Sequence, residues 1–99
     1  MAFSDDSDQA QAWEQVNSAP HQAKISHELL GAAASYEAIK AYEKHREENG
    51  EPDSHATRNE IIATLAGGFI DRMVETKGLD FIDKEKAKYH AKQQYESQF

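Results

Sequence analysis

The sequence predicts an all-α fold of four helices. Apolar residues recur at the three- and four-residue spacing of a helix, no run alternates apolar with polar residues, and strand-favouring Thr and Val number only three and two. Two strong stops divide the pattern, Asn49-Gly50-Glu51-Pro52 and Lys77-Gly78-Leu79-Asp80, and a softer one, Asn17-Ser18-Ala19-Pro20, precedes them.

The elements follow in order. A first helix is expected over about 6–16, with Ala10, Trp13 and Val16 on its inner side. Ser18 can cap the next helix and Pro20 suits its first turn, so a second helix is expected over about 20–48. Gly50 stops it, and Pro52 marks the restart toward a third helix over about 54–77. Gly78 reads as the cap that ends this third helix, with Leu79 folding back. Asp80 then reads as the N-cap of a fourth helix over about 81–97, with Asp83 supplying a weaker form of the capping box. The expected architecture is a long antiparallel hairpin of the second and third helices with the shorter first and fourth packed on it. It forms a single helical domain over 1–99, with 1–5 and 97–99 frayed. At about 1.5 Å per residue the hairpin helices would run roughly 35–40 Å each, which implies an elongated molecule.

The second helix carries two contact faces. With Ile25 at the origin and about 100° per residue, Leu29, Ala32, Tyr36 and Ile39 fall within about 40° of it and form a bulky stripe. The opposite side gathers Ala23, His27, Gly31, Ala34, Ala38, Ala41 and His45, a flat face that lets another backbone approach closely. Either the first or fourth helix covers that face, or a second copy of the chain does, which makes Gly31, Ala34, Ala38 and Ala41 the candidate interface residues. The third helix carries apolar doublets every four residues, Ile61-Ile62, Leu65-Ala66, Phe69-Ile70 and Met73-Val74, so its stripe drifts around the axis and should touch several neighbours. It is therefore expected to be the most buried helix, with Gly67-Gly68 packed closely against Gly31 and the alanines.

Composition narrows the function. Eleven Lys and Arg face eighteen Asp and Glu, for a net charge of −7, which disfavours a phosphate-neutralising groove and docking on an anionic membrane; neither nucleic acid nor membrane is expected as a partner. No cysteine is present, so thiol catalysis, disulfides and Cys-ligated metals are excluded. No apolar run approaches a spanning helix and the acidic N-terminus is no secretory signal, which together point to the cytoplasm. Of the 38% of residues that are hydrophobic, fifteen are Ala, leaving a thin set of bulky core formers that a partner copy could complete.

Five histidines are the groups that titrate near neutral pH. None has HExxH spacing, so a metal site would have to form between helices. A hairpin folded about residue 51 sets His27 opposite Glu75 and Gly31 opposite Asp71, with His21 nearby, and brings His45 toward His55. These six residues, His27, Asp71, Glu75, His21, His45 and His55, are the candidate ligands for a divalent metal; capping, packing or pairing with a carboxylate is the competing role for each. No catalytic residue is assigned: there is no nucleophile elbow, and a His27–Glu75 acid–base pair is the weakest of the three readings. No cofactor other than that metal is implied.

The motifs Asn17-Ser18-Ala19-Pro20-His21, Ser26-His27-Glu28-Leu29-Leu30-Gly31-Ala32-Ala33-Ala34, Asn49-Gly50-Glu51-Pro52 with His55, and Glu75-Thr76-Lys77-Gly78-Leu79-Asp80-Phe81-Ile82-Asp83 come in an order and spacing that resembles the fungal CipC-like antibiotic-response proteins. The likeness covers roughly 13–90. Ser35 interrupts the run of small residues, and the tail after Lys92 follows no pattern. The resemblance implies a small cytosolic fungal protein of the stress or drug response, and brings no catalytic mechanism with it. The resulting expectation is a non-enzymatic protein that acts by self-association, as a homodimer, or by binding a partner through helix faces. A metal-binding helical protein is the alternative.

Overall fold

Each helix opens at a residue whose side chain satisfies a backbone N–H that the first turn leaves unpaired. The computed structural model describes residues 7–98, which form α1 (Asp8–Ser18), α2 (His27–Asn49), α3 (His55–Lys77) and α4 (Lys84–Glu96). The Ser7 hydroxyl accepts from the Ala10 N–H, Ser26 from Leu29 and Ser54 from Thr57, while the Asp83 carboxylate accepts from Glu85 and Lys86. Gly50 and Gly78 close α2 and α3 at φ of 81° and 64°, where a side chain would be strained. No strand occurs among the described residues.

Two helix starts differ from the expectation. The second helix begins at His27, seven residues beyond Pro20, because Ser26 captures the capping role. Ser18 instead ends α1, its hydroxyl donating back to the Glu14 carbonyl at 2.7 Å. Residues 20–26 form a strap. Gln22 sits at a positive φ of 63°. Its N–H donates to the Lys77 carbonyl, and the Lys77 ammonium donates to the Asn17 and Ala19 carbonyls at 2.9 and 2.6 Å. The end of α3 thus caps the end of α1. The fourth helix is capped by Asp83 and not by Asp80, since buried Leu79 and Ile82 pin the turn between them, where the Ile82 N–H donates to the Leu79 carbonyl. The expected frayed residues 1–5 lie outside the described residues.

α2 is the centre of the fold: α1, α3 and α4 all pack on it, and α4 also touches α3. α2, and not α3, is the most buried helix, with Leu30, Gly31, Ala33, Ala34, Ser35, Ala38, Ile39 and Tyr42 all buried. In α3 three of the four apolar doublets split. Ile62 and Ala66 turn inward while Ile61 and Leu65 stay half-exposed, and only Phe69-Ile70 is buried whole. Eight of the twenty buried apolar side chains are alanines, which is why the helices can approach closely. Ser35 is fully buried, and its hydroxyl is satisfied by donating to the Ala32 carbonyl at 2.7 Å.

α2 and α3 form the expected antiparallel pair, but in another register. Arg72 lies beside Glu37, where a fold about residue 51 would set it near Leu30. The longest dimension, 39 Å, reflects the two 23-residue helices. The other two extents are 26 and 22 Å and the radius of gyration is 13.0 Å, so α1 and α4 fill out the hairpin and leave the molecule only moderately elongated.

Candidate functional site

The flat face of α2 is closed within the chain. Gly31 lies so near α4 that a Cβ placed there would stand 2.6 Å from His90 Cβ, 2.9 Å from the Ala91 N and 3.0 Å from the Ala87 carbonyl oxygen. Ala34 and Ala38 are fully buried beside it. Of the four residues expected at an interface between copies, Gly31, Ala34 and Ala38 are thus buried inside one protomer, and Ala41 alone keeps partial exposure. The glycine pair Gly67-Gly68 does not meet Gly31. Gly67 faces the Lys88 side chain, and nothing lies within 4 Å of a Cβ built on Gly68.

The six candidate ligands are dispersed. His27 is the first residue of α2, and its Nε2 accepts a hydrogen bond from the Asp83 backbone N–H at 2.8 Å, which ties α2 to the start of α4. Asp71 pairs with the Lys84 ammonium at 3.5 Å. Glu75 is exposed on the last turns of α3. His21 lies in the strap, with its ring against Gly78. His45 is exposed on α2, where its carbonyl accepts from Asn49. His55 opens α3 and shares a surface recess with Arg58, Asn59 and Glu96. Among the described residues, no group of three or more His, Asp or Glu converges to hold a metal ion. The register accounts for this: with Arg72 against Glu37, Asp71 and Glu75 no longer face the ring of His27.

A different region brings partly buried apolar side chains to the surface. Ile61, Leu65, Gly68 and Arg72 follow one another along α3 at intervals of four, three and four, the spacing of a coiled-coil seam. Ile61 and Leu65 pack partly buried against the core, and with Glu60 and Thr64 they line a shallow apolar recess. Beside it runs a groove between α2 and α3 lined by Glu37, Ala41, Thr64, Leu65, Gly68, Phe69 and Arg72. One end is built firmly. The Trp13 indole N–H donates to Glu37 at 2.9 Å, the other oxygen of Glu37 faces the Arg72 guanidinium at 3.8 Å, and that guanidinium lies 5.4 Å from the centre of the Phe69 ring. Trp13 also meets the Tyr36 ring at 5.8 Å. One carboxylate therefore joins α1, α2 and α3. The doublet pattern of α3 held the signal for this strip, because the first member of each of the two leading doublets falls on the outer side once Phe69-Ile70 is set inward.

Among the described residues, the large exposed apolar groups are Phe81 and Tyr89. Phe81 borders a shallow recess with Lys24, Ile25 and Ser26. Burial raises the Tyr95 phenol above its ordinary pKa of 10.0, and the neighbouring Glu96 carboxylate adds to the shift. No described helix is long and apolar enough to cross a membrane.

Fold and site together define an all-α four-helix protein built around a central alanine-rich helix, with an apolar strip along the outer side of α3. The chain belongs to the virulence factor CipC-like family, whose sequence profile matches residues 12–99. Among curated proteins and among solved structures, nothing matches it.

Proposed function

We propose that this chain works in the cytoplasm as a non-enzymatic stress-response protein that acts through contact with another protein helix. The strip on α3 carries this reading: Ile61 and Leu65, partly buried against the core, still reach the surface of the folded protomer, on a seam of coiled-coil spacing with open space at Gly68. A helical protein gains little from leaving such residues wet unless something covers them. The flat side of α2, in contrast, is already occupied by α4.

A strain that lacks the protein and shows a stress-sensitive phenotype tests the reading. Wild-type chain restores tolerance. Thr64→Arg/Gly68→Arg, two changes at exposed positions beside Leu65, keeps its helical signal and melting transition but fails to restore tolerance. Full restoration by this variant overturns the reading.

A further inference from the structure

We propose that the groove between α3 and α4 is a binding site for a small organic carboxylate, separate from the contact strip on the other side of α3. The groove encloses about 270 Å3. Its floor is made of methyl groups, from Ala63 and the buried Ala66, and its walls carry Lys88, Lys92, Tyr89 and Tyr95. Lys88, Lys92 and Tyr95 recur along α4 at intervals of four and three, so they stand on one side of it. Side chains in a helix lean toward its N-terminus, which carries the Tyr95 phenol toward Lys92 and the Lys92 stem toward Lys88. Lys88 is placed by a missing side chain. A Cβ built on Gly67 would lie 3.4 Å from Lys88 Cε, so the lysine stem lies across α3 where a larger residue would crowd it.

Tyr95 is the observation that points to a ligand. It is 4% exposed, yet among the described residues nothing hydrogen-bonds to its hydroxyl. A buried phenol ordinarily finds a partner. Burial keeps this one protonated through the neutral range, so it offers a donor. Two ammoniums and a phenol O–H together suit a carboxylate, which accepts at both oxygens. The carboxylates now beside the lysines are loosely held: Glu85 lies 3.8 Å from Lys88 and Glu96 3.8 Å from Lys92. Exposed pairs of this kind contribute little, so an anion seated over the floor displaces them. The methyl floor and the tyrosine rings favour an organic anion over inorganic phosphate, because they offer apolar contact and no further donor. The small volume limits the ligand to one or two rings, and affinity to the millimolar range.

Amide NMR titration of the purified chain with benzoate tests this. Saturable shifts are expected at Ala63, Ala66, Lys88 and Lys92. Benzamide, the neutral counterpart, and inorganic phosphate should each bind at least about tenfold more weakly. Lys88→Gln/Lys92→Gln should weaken benzoate by a similar factor. Tyr95→Phe should weaken it several-fold and leave the melting temperature at neutral pH unchanged or higher, because the hydroxyl has no partner to lose. Shifts that do not saturate, benzamide or phosphate binding as tightly as benzoate, or an affinity indifferent to Lys88→Gln/Lys92→Gln overturns the proposal. So does a clear fall in melting temperature in Tyr95→Phe, which would show the phenol already paired.

Discussion

Gly31 and Gly68 look alike in the sequence: each sits inside a long helix among small and apolar residues. Their surroundings are opposite. Gly31 is a point where two backbones nearly touch, with α4 atoms 2.6–3.0 Å from where its Cβ would be. Gly68 faces open space in the groove between α2 and α3. The comparison teaches that a glycine in a helix states only that a side chain is missing. Whether the gap is filled by another part of the same chain or left for something else depends on the register of the helices.

Substitutions at these sites sharpen the contrast. The largest effect is expected at Gly31→Leu, which has nowhere to place its side chain between α2 and α4; the cooperative melting transition should be lost at ordinary temperatures. Gly31→Ala is milder, because only one methyl is forced against His90, Ala91 and Ala87. A cost of about 2 kcal/mol, or roughly 10 °C in Tm, is expected by thermal denaturation. An unchanged Tm would show that α4 shifts to make room. Gly78→Ala tests a third situation, a left-handed residue whose Cβ would press on the His21 ring at 2.7 Å, and should cost about 1–2 kcal/mol in a urea titration. Gly68→Ala should act in the other direction. It gains about 1 kcal/mol of helix propensity with no clash, and Tm measured in dilute solution rises by several degrees. A fall in Tm would mean that the groove between α2 and α3 is tighter than its contacts imply.

The smallest expected effect concerns the far end of the bundle. The phenol of Tyr95 has a raised pKa, held up by burial and by Glu96. Its folded-state pKa therefore exceeds the unfolded value near 10.0, so the stabilisation is intact below that pH and is lost as pH rises through the folded value. Wild type should lose stability above about pH 10 more steeply than Tyr95→Phe, read as Tm against pH.

Much of the fold was legible in the residues. Gly50 and Gly78 ended helices where their chemistry says they should, and the all-α class and the α2–α3 pairing followed from periodicity. The start of α2 did not follow, because Ser18 and Ser26 are both plausible caps, and the strap of residues 20–26 that decides between them is held by Lys77, remote in sequence. The register was not legible for a related reason. Periodicity assigns faces to helices but not partners to faces, so His27 was set opposite Glu75 when its ring nitrogen in fact holds the N–H of Asp83. The same register leaves the candidate ligands without a converging group of three among the described residues. The flat side of α2 was read correctly as a close-approach surface. What approaches it, α4 running in the same direction as α2, depends on the turn pinned by Leu79 and Ile82.

That α4 follows both hairpin helices in the chain has a consequence during synthesis. Until the residues around His90 leave the ribosome, the Gly31–Ala38 flank stays wet, and the nascent hairpin offers a bare, smooth groove to any neighbour of similar shape. The arrival of α4 both completes the protomer and withdraws the invitation.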